Sequence, residues 1–591
     1  MKLKQSQLMR RECLHIKLGF SLVEVMLSVA VFTLIITGLA GAYLYGEEST
    51  MLAGNRAKAT MLAEEGLEAA RNIRDPQFVN LVDGTYGLTT TTNQYNLSGA
   101  SDTDGFFTRT INVSTVDIKR KDLTSTVTWQ QNPQRTGSVT LVSRLTNWIA
   151  ASAVALSNLI TYGDGTTMPK TRNYDSSLNT FSVENTTATS SAGRTFVTRT
   201  SPKKAEAIMG FVGATGVLTV MCYDGTSWTE EWTAVVGGTG TTRRFDVSYE
   251  TNSGNVVVLY STNSATTNEL AYRTKTNATG CGSANWSGAT NLDPIRTAGI
   301  VQWVKMAWDK RASSNLVTAI WADANADLSA MVWNGTTWTN EPTAASETSL
   351  EVLAVAQDIE DFDVEYESVS GDVMMVWANS AGANGTNGVR YRTCTGGIAA
   401  CTWGVVTTPP TFSDDATNLD ISANPNTDEI VFASIGNAGS DLQIGYWSGS
   451  AWTNGANRDT SAQVPMAGTK LVATGWLISG ASTRSIVAYN DSGSINIGYF
   501  VGNGSTFTQQ TDFTASPVFA SPQKYYQIEM NPLSKDQLMF CLSDNASDLH
   551  CKRLVMSATP AFTWTNASVA ALTLILPQSI NSPFSFAFLR N

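Results

Sequence analysis

At 591 residues the chain is several times the size of an ordinary single domain, so at least two domains are expected. Charged residues make up only 15%, low for a cytosolic protein, and 46 glycines among abundant Thr, Ser and Asn point to many strands and tight turns. The formal charge of −11 deepens to −15 without the first 19 residues, whose local balance is +4 (Lys2, Lys4, Arg10, Arg11 and Lys17 against Glu12). A body of that sign is repelled by phosphate backbones, so no nucleic-acid partner is expected for it.

The chain opens on this basic segment and continues into an apolar stretch from Phe20 to Tyr45. A secretory signal carries an apolar run of roughly 7–15 residues, shorter than this one. As a helix the stretch reaches about 39 Å, enough to cross a hydrocarbon core. Its single charge is Glu24, and a carboxylate in such a span is costly unless paired.

The segment KLGFSLVEVMLSVAVFTLIITG (17–38) resembles the prepilin signature of type IV pilins and type II secretion pseudopilins. The match comprises a basic leader, Gly19, Phe20 and Glu24 as the fifth residue after Gly19. The resemblance implies that a prepilin peptidase cuts between Gly19 and Phe20 and methylates the new Phe20 amine. It further implies that Glu24 pairs with the Phe20 amine of a neighbouring subunit inside the filament. The simpler alternative is a membrane anchor oriented by its positive leader. Gly41 stands where many pilins carry a helix-kinking proline, so Gly38 and Gly41 are the sites of any flexibility.

From Glu47 to Arg74 the pattern stays helical but becomes amphipathic, with Met51, Leu52, Met61, Leu62, Ala63, Leu67, Ala70 and Ile73 recurring at roughly helical spacing among Glu, Lys and Arg, and Asp75-Pro76 ends it. Segments 106–118, 123–131 and 138–148 alternate apolar and polar residues as an antiparallel meander. The expected first module is therefore α+β: a leader over 1–19, then a pilin-like module over 20–148 with a helix over 20–74 and a sheet over 78–148. It lacks the cysteine-bridged C-terminal loop of many pilins. Residues 149–170 read as a linker.

Beyond the linker the chain repeats. RFDVSYETNSGNVVVLYS (244–261) matches DFDVEYESVSGDVMMVWANS (361–380), and WNGTTWT (333–339) echoes YDGTSWT (223–229) and YWSGSAWT (446–453). Aromatic residues closing successive units stand at Trp228, Trp286, Trp338, Trp403, Trp452, Phe507 and Trp564, 49 to 65 residues apart. Units of that length with four strands each resemble β-propeller blades. Residues 171–591 are expected to form an all-β propeller of seven complete repeats, with a split eighth blade built from the segment around Phe181 and from 582–591. The D/N-G turns are similar to Asp-box hairpins of sialidase-type propellers, but lack the residue between Asp and Gly. Tight type I′ turns followed by a packing Trp explain them.

Six cysteines follow the leader's Cys13. Cys394 and Cys401 flank a short turn, and Cys541 and Cys551 have hairpin spacing, so each pair is a disulfide candidate. Cys222 and Cys281 have no assigned pairing, and six unrelated thiols are the alternative. Asp323, Asn325 and Asp327 are calcium candidates, although the loop lacks the glycine and distant glutamate of an EF-hand. The acidic run DIEDFDVEYE (358–367) reads as a solvated strand edge. His550 is the one histidine after the leader, so no Ser-His-Asp set or multi-histidine metal site can be built, and no catalytic residue is assigned. Arg243, Arg244, Arg273, Arg296, Arg390 and Arg392 offer the cations a sialidase needs, but Arg273 and Arg392 occupy equivalent repeat positions, which favours scaffold use.

The resulting expectation is a minor or tip type IV pilin presenting an extracellular propeller for adhesion or ligand binding. The alternatives are a type II secretion pseudopilin and a surface-tethered glycoside hydrolase. The expected partners are prepilin peptidase, other pilin subunits with their assembly machinery, the cytoplasmic membrane before assembly, and a glycan or protein ligand at the cell surface.

Overall fold

The computed structural model describes residues 21–590 apart from short segments, the longest being 147–157, 343–359, 380–387, 515–522 and 573–581. The chain forms two compact units, Met1–Ala153 and Val154–Asn591.

The first unit is built on α1 (Leu22–Arg74), which runs without interruption through Gly38 and Gly41. Its N-terminal part is apolar, exposed, and long enough to cross a membrane. Its C-terminal part buries Ala59, Ala63, Gly66, Leu67, Ala69 and Ala70. Gly66 is required by close packing, since a Cβ there would stand 2.7 Å from Ser125 Oγ. The helix covers a sheet of β1 (Gly84–Thr91), β2 (Gln94–Ser98), β3 (Asp102–Asp104), β4 (Phe107–Asp117), β5 (Arg120–Asn132) and β6 (Arg135–Thr146). The order is β2-β1-β4-β5-β6, with β3 on β4. The predicted meander corresponds to β4–β6. The three earlier strands add to it, and the first of them, GTYGLTTT, is too polar to show alternation. Buried Arg109 ties sheet to helix, donating to Glu65 at 2.8 Å, to Asp102 at 2.8 Å and to the Leu62 carbonyl at 2.9 Å.

The second unit holds eight small antiparallel sheets among the described residues. Seven follow in chain order, over 195–235, 245–292, 301–339, 362–403, 416–459, 472–514 and 523–566. The eighth joins Phe584–Ala587 to Asn158–Tyr162, which pairs in turn with Lys170–Asp175. Asn158–Tyr162 falls inside the segment read as a linker, and all five of its residues are buried. A strand covered on both faces has no polar alternation to announce it. The head therefore includes a strand that starts at Asn158, ahead of the boundary expected at 171.

The first strand of each sheet touches that of the next, from Thr195–Thr200 through Gln523–Met530 to Phe584–Ala587 and back to Thr195–Thr200. Side chains staple these inner strands by accepting the neighbour's backbone N–H. Asp246 accepts from Met306 at 2.8 Å, Asp363 from Ile421 at 3.1 Å and Asp420 from Thr474 at 2.8 Å. Gln527 accepts from Phe586 at 2.9 Å and Ser585 from Thr198 at 3.0 Å, which binds the last strand into the circle. Farther out, Trp333 donates to Glu250 at 2.7 Å and Trp447 to Glu367 at 2.6 Å, the same clasp in two repeats.

These contacts correct the reading of 358–367. Asp358 lies outside the described residues, but Glu360, Asp361, Asp363 and Glu367 are buried rather than solvated. The D/N/S-G turns also differ from expectation. Gly225, Gly335 and Gly449 sit at φ 97°, 97° and 90°, while Thr226, Thr336 and Ser450 do not enter the left-handed region that a type I′ turn requires at both central residues. Asp224 Oδ1 accepts from the N–H groups of Thr226 and Ser227, and Asn334 Oδ1 from those of Thr336 and Thr337. The side-chain oxygen thus organises the turn.

Candidate functional site

The residues singled out by sequence are dispersed. Gly19 and Phe20 lie outside the described residues. Glu24 closes a capping box on α1, with its carboxylate accepting the Ser21 N–H at 3.1 Å and Ser21 Oγ accepting the Val23 N–H at 3.3 Å. Disulfides join Cys222–Cys281, Cys394–Cys401 and Cys541–Cys551. Cys541 and Cys551 face each other directly across one strand pair, whereas Cys222–Cys281 ties a strand of one sheet to the connection after Leu270–Lys275 in the next.

Asp323 Oδ1 accepts the N–H groups of Asn325 and Asp327, and Asp544 makes the same bonds to Ala546 and Asp548 in another sheet. The repetition identifies the calcium candidates as members of a recurring hairpin turn. Among the described residues three ligand-type side chains converge at Glu206, Cys222 and Cys281. Both sulfurs there are oxidised, and Glu206 pairs with Lys275 at 2.6 Å and Lys204 at 2.9 Å.

Nor do the arginines gather in one place. Arg243 faces the ring axis, Arg244 bridges to Asn263 and Gln302, Arg273 lies over Trp232, Arg392 lies over Trp403, and Arg296 is outside the described residues.

What the fold does bring together lies on the ring axis. The inner strands enclose a cavity of about 450 Å³ lined from all eight sheets, a volume within the roughly 300–1,000 Å³ common for ligand pockets. One end is a buried ionic girdle. Arg243 contacts Glu360 at 2.8 Å, Lys305 contacts Glu360 at 3.4 Å and Asp363 at 2.6 Å, and Lys470 pairs with Asp420. Burial pushes the Glu360 carboxyl up, but the Arg243 and Lys305 charges outweigh it and hold it at about 2.

The other end, at the C-terminal ends of the inner strands, is built around Trp308. The Arg590 guanidinium lies 3.7 Å from the Trp308 ring centroid and that of Arg199 lies 5.5 Å from it. Lys310 and Glu365 pair at 3.1 Å, and Glu529 accepts from Gln527 at 3.0 Å. Burial pushes the Glu529 carboxyl up, against the pull of Arg199 and Arg590. Donors and acceptors therefore converge around an indole, in a place no motif had marked. The spacing offers no clue, since Trp308 is one of four tryptophans between Trp286 and Trp338, with Trp303, Trp321 and Trp333.

Outside the cavity, burial pushes His550 down to about 4 and Asp544 up to about 6. Unfolded His550 takes its proton near 6.5, so this group removes about 3 kcal/mol of stability as pH falls from 6.5 to 4. Asp544 acts oppositely, because the folded form binds a proton first, and it restores stability between pH 6 and 4. His550→Gln is therefore expected to become more stable on acidification relative to the wild type, and Asp544→Asn less stable. Urea midpoints at pH 7, 5.5 and 4.5 check both signs.

No protein-family model matches the chain, and no curated protein does. Solved structures similar to it include BP39L lectin from Burkholderia pseudomallei, at 13% identity and a TM-score of 0.43, covering 64% of this chain and 99% of that one. The Aleuria aurantia lectin, described as a six-bladed β-propeller with a fucose recognition mode, overlaps at 10% identity and a TM-score of 0.33, covering 65% and 97%. AofleA from Arthrobotrys oligospora overlaps at 9% and 0.28, covering 55% and 86%. Overlaps this loose transfer no side-chain arrangement, and the ligands of those lectins remain theirs.

Proposed function

We propose that the chain is a pilin-like, membrane-anchored protein whose eight sheets close into an eight-bladed propeller, and that the axial cavity of this propeller binds an extracellular glycan. The observation that carries the binding reading is the Trp308 end of the cavity. Guanidinium and ammonium donors, carboxylate acceptors and an indole converge there from different sheets, the combination that a hydroxyl-rich, partly apolar sugar ring requires. The anchoring reading is supported by the exposed apolar half of α1 and by Glu24, the lone charge within it. In an assembled filament Glu24 exchanges its Ser21 N–H for the amine of a neighbouring subunit, because an ammonium compensates a buried carboxylate better than one amide does.

Two measurements test this. Full-length protein purified in detergent is expected to bind a subset of sugars on a broad glycan array; an array blank at millimolar sugar would refute the binding reading. Co-expression with a prepilin peptidase is expected to yield a chain beginning at Phe20, and Glu24→Ala to be processed yet absent from filaments. A leader left intact by an active peptidase, or filaments indifferent to the substitution, would refute the pilin reading.

A further inference from the structure

We infer that the axial site is specific for acidic sugars, with the carboxylate of a uronic-type residue seated between Arg199 and Arg590 beside Trp308. This deepens the glycan reading above and rests on it.

Two cations share one indole face region here, at 3.7 Å and 5.5 Å from the same centroid. Stacking occupies the flat of a guanidinium but leaves its edge donors free, and those donors match a carboxylate two at a time. The edges have little else to bind. Arg199 Nε is buried without a hydrogen-bond partner, and Nη1 reaches the adjacent Thr198 carbonyl at 3.4 Å. The Arg199 ion pair is a distant one, 4.0 Å to Asp246, whose oxygens already accept backbone N–H groups from Val247 and Met306. No carboxylate lies within ion-pair distance of Arg590 among the described residues.

Surrounding charges do not cancel this surplus. Lys310 pairs with Glu365, Lys535 donates to Asn426, and Glu529 is the remaining acid near the two arginines. Seven Lys or Arg but four Asp or Glu line the cavity, in a chain whose totals run the other way at 39 against 50. Asp246 and Glu360 offset part of that excess at the girdle end, which leaves the Trp308 end as the cationic one. Burial and then repulsion from Arg199 pull the Arg590 guanidinium down, to about 9. An anion between the two groups relieves both costs.

The test is calorimetric titration of the full-length protein in detergent with three probes of equal length: an oligouronate, its carboxyl-reduced neutral counterpart, and a sulfated neutral oligosaccharide. The oligouronate is expected to bind at least about tenfold more tightly than the reduced form, the size of a lost charged hydrogen-bond pair. Arg199→Gln and Arg590→Gln are each expected to lose about tenfold toward the oligouronate and little toward the reduced probe, with Arg590→Lys retaining part of the affinity. Equal binding of oligouronate and reduced probe overturns the inference while leaving a glycan site standing. Tighter binding of the sulfated probe overturns the choice of carboxylate. Failure of all three probes together with a blank glycan array overturns the glycan reading itself. If a glutamine variant misfolds, the wild-type comparison of charged and reduced probes decides alone.

Discussion

Replacing Glu360 with alanine is expected to lower the stability of the head by about 3–5 kcal/mol, the cost of removing one partner from a buried ionic network. Glu360 is 4% exposed and serves two cations, Arg243 at 2.8 Å and Lys305 at 3.4 Å. Lys305 keeps Asp363, but among the described residues Arg243 keeps one ion pair, the distant one to Asp246 at 3.9 Å, beside its hydrogen bond to the Val304 carbonyl at 3.1 Å. The Glu360 contacts alone join three sheets, so the loss falls on the junctions between sheets rather than on one sheet. Glu360→Ala combined with Arg243→Met is expected to recover much of the deficit, because it deletes the stranded charge along with its partner. Urea unfolding checks both; a single substitution costing under about 1 kcal/mol would show that water reaches the girdle. Acid supplies a second reading of the same pair. The folded pKa is depressed to about 2, so the Glu360 contribution is complete above the unfolded value and is lost as pH falls toward 2.

Removing the Cys222–Cys281 bridge is expected to cost about 4 kcal/mol, against about 2 kcal/mol for Cys394–Cys401, because the first closes a loop of 59 residues and the second a loop of 7. Alanine is the replacement of choice at Cys222, which is fully buried and has no place for an unpaired hydroxyl. Urea midpoints of the two double-alanine variants give the comparison. A reversed order would locate the stabilisation in local strain or packing instead of chain entropy. The bridge also ties one sheet to a connection of the next, so its loss is expected to loosen the junction where Glu231 accepts from Trp286 at 2.7 Å.

Arg243 reads in the sequence as a cation without a partner in view. Arg199, Arg590 and Trp308 carry no local signal, since each is an ordinary member of a strand or tail when read alone. The acidic run around Glu360 was legible as unusual, yet its meaning was inverted. Charge density in a strand looks like a solvated edge unless the cations opposite are known, and Arg243 and Lys305 stand 117 and 55 residues away in the chain.

The sequence by itself determined whatever depends on neighbours along the chain. The 3.6-residue pattern ended by Asp75-Pro76 set the C-terminus of α1, alternation set β4–β6, and recurrent turns with closing aromatics set the repeat. Glycine at positive φ and a capping Asp or Asn were likewise written locally, although the turn they make is not the one their dipeptide suggests. Only the tertiary structure decided what depends on partners distant in the chain. It placed Asn158–Tyr162 against Phe584–Ala587, chose Cys281 for Cys222, turned one acidic strand inward, and set Arg199 and Arg590 around Trp308. Periodicity records which face of a strand is covered, but a ring of sheets fixes what does the covering, and that choice appears only when the inner strands meet around their axis.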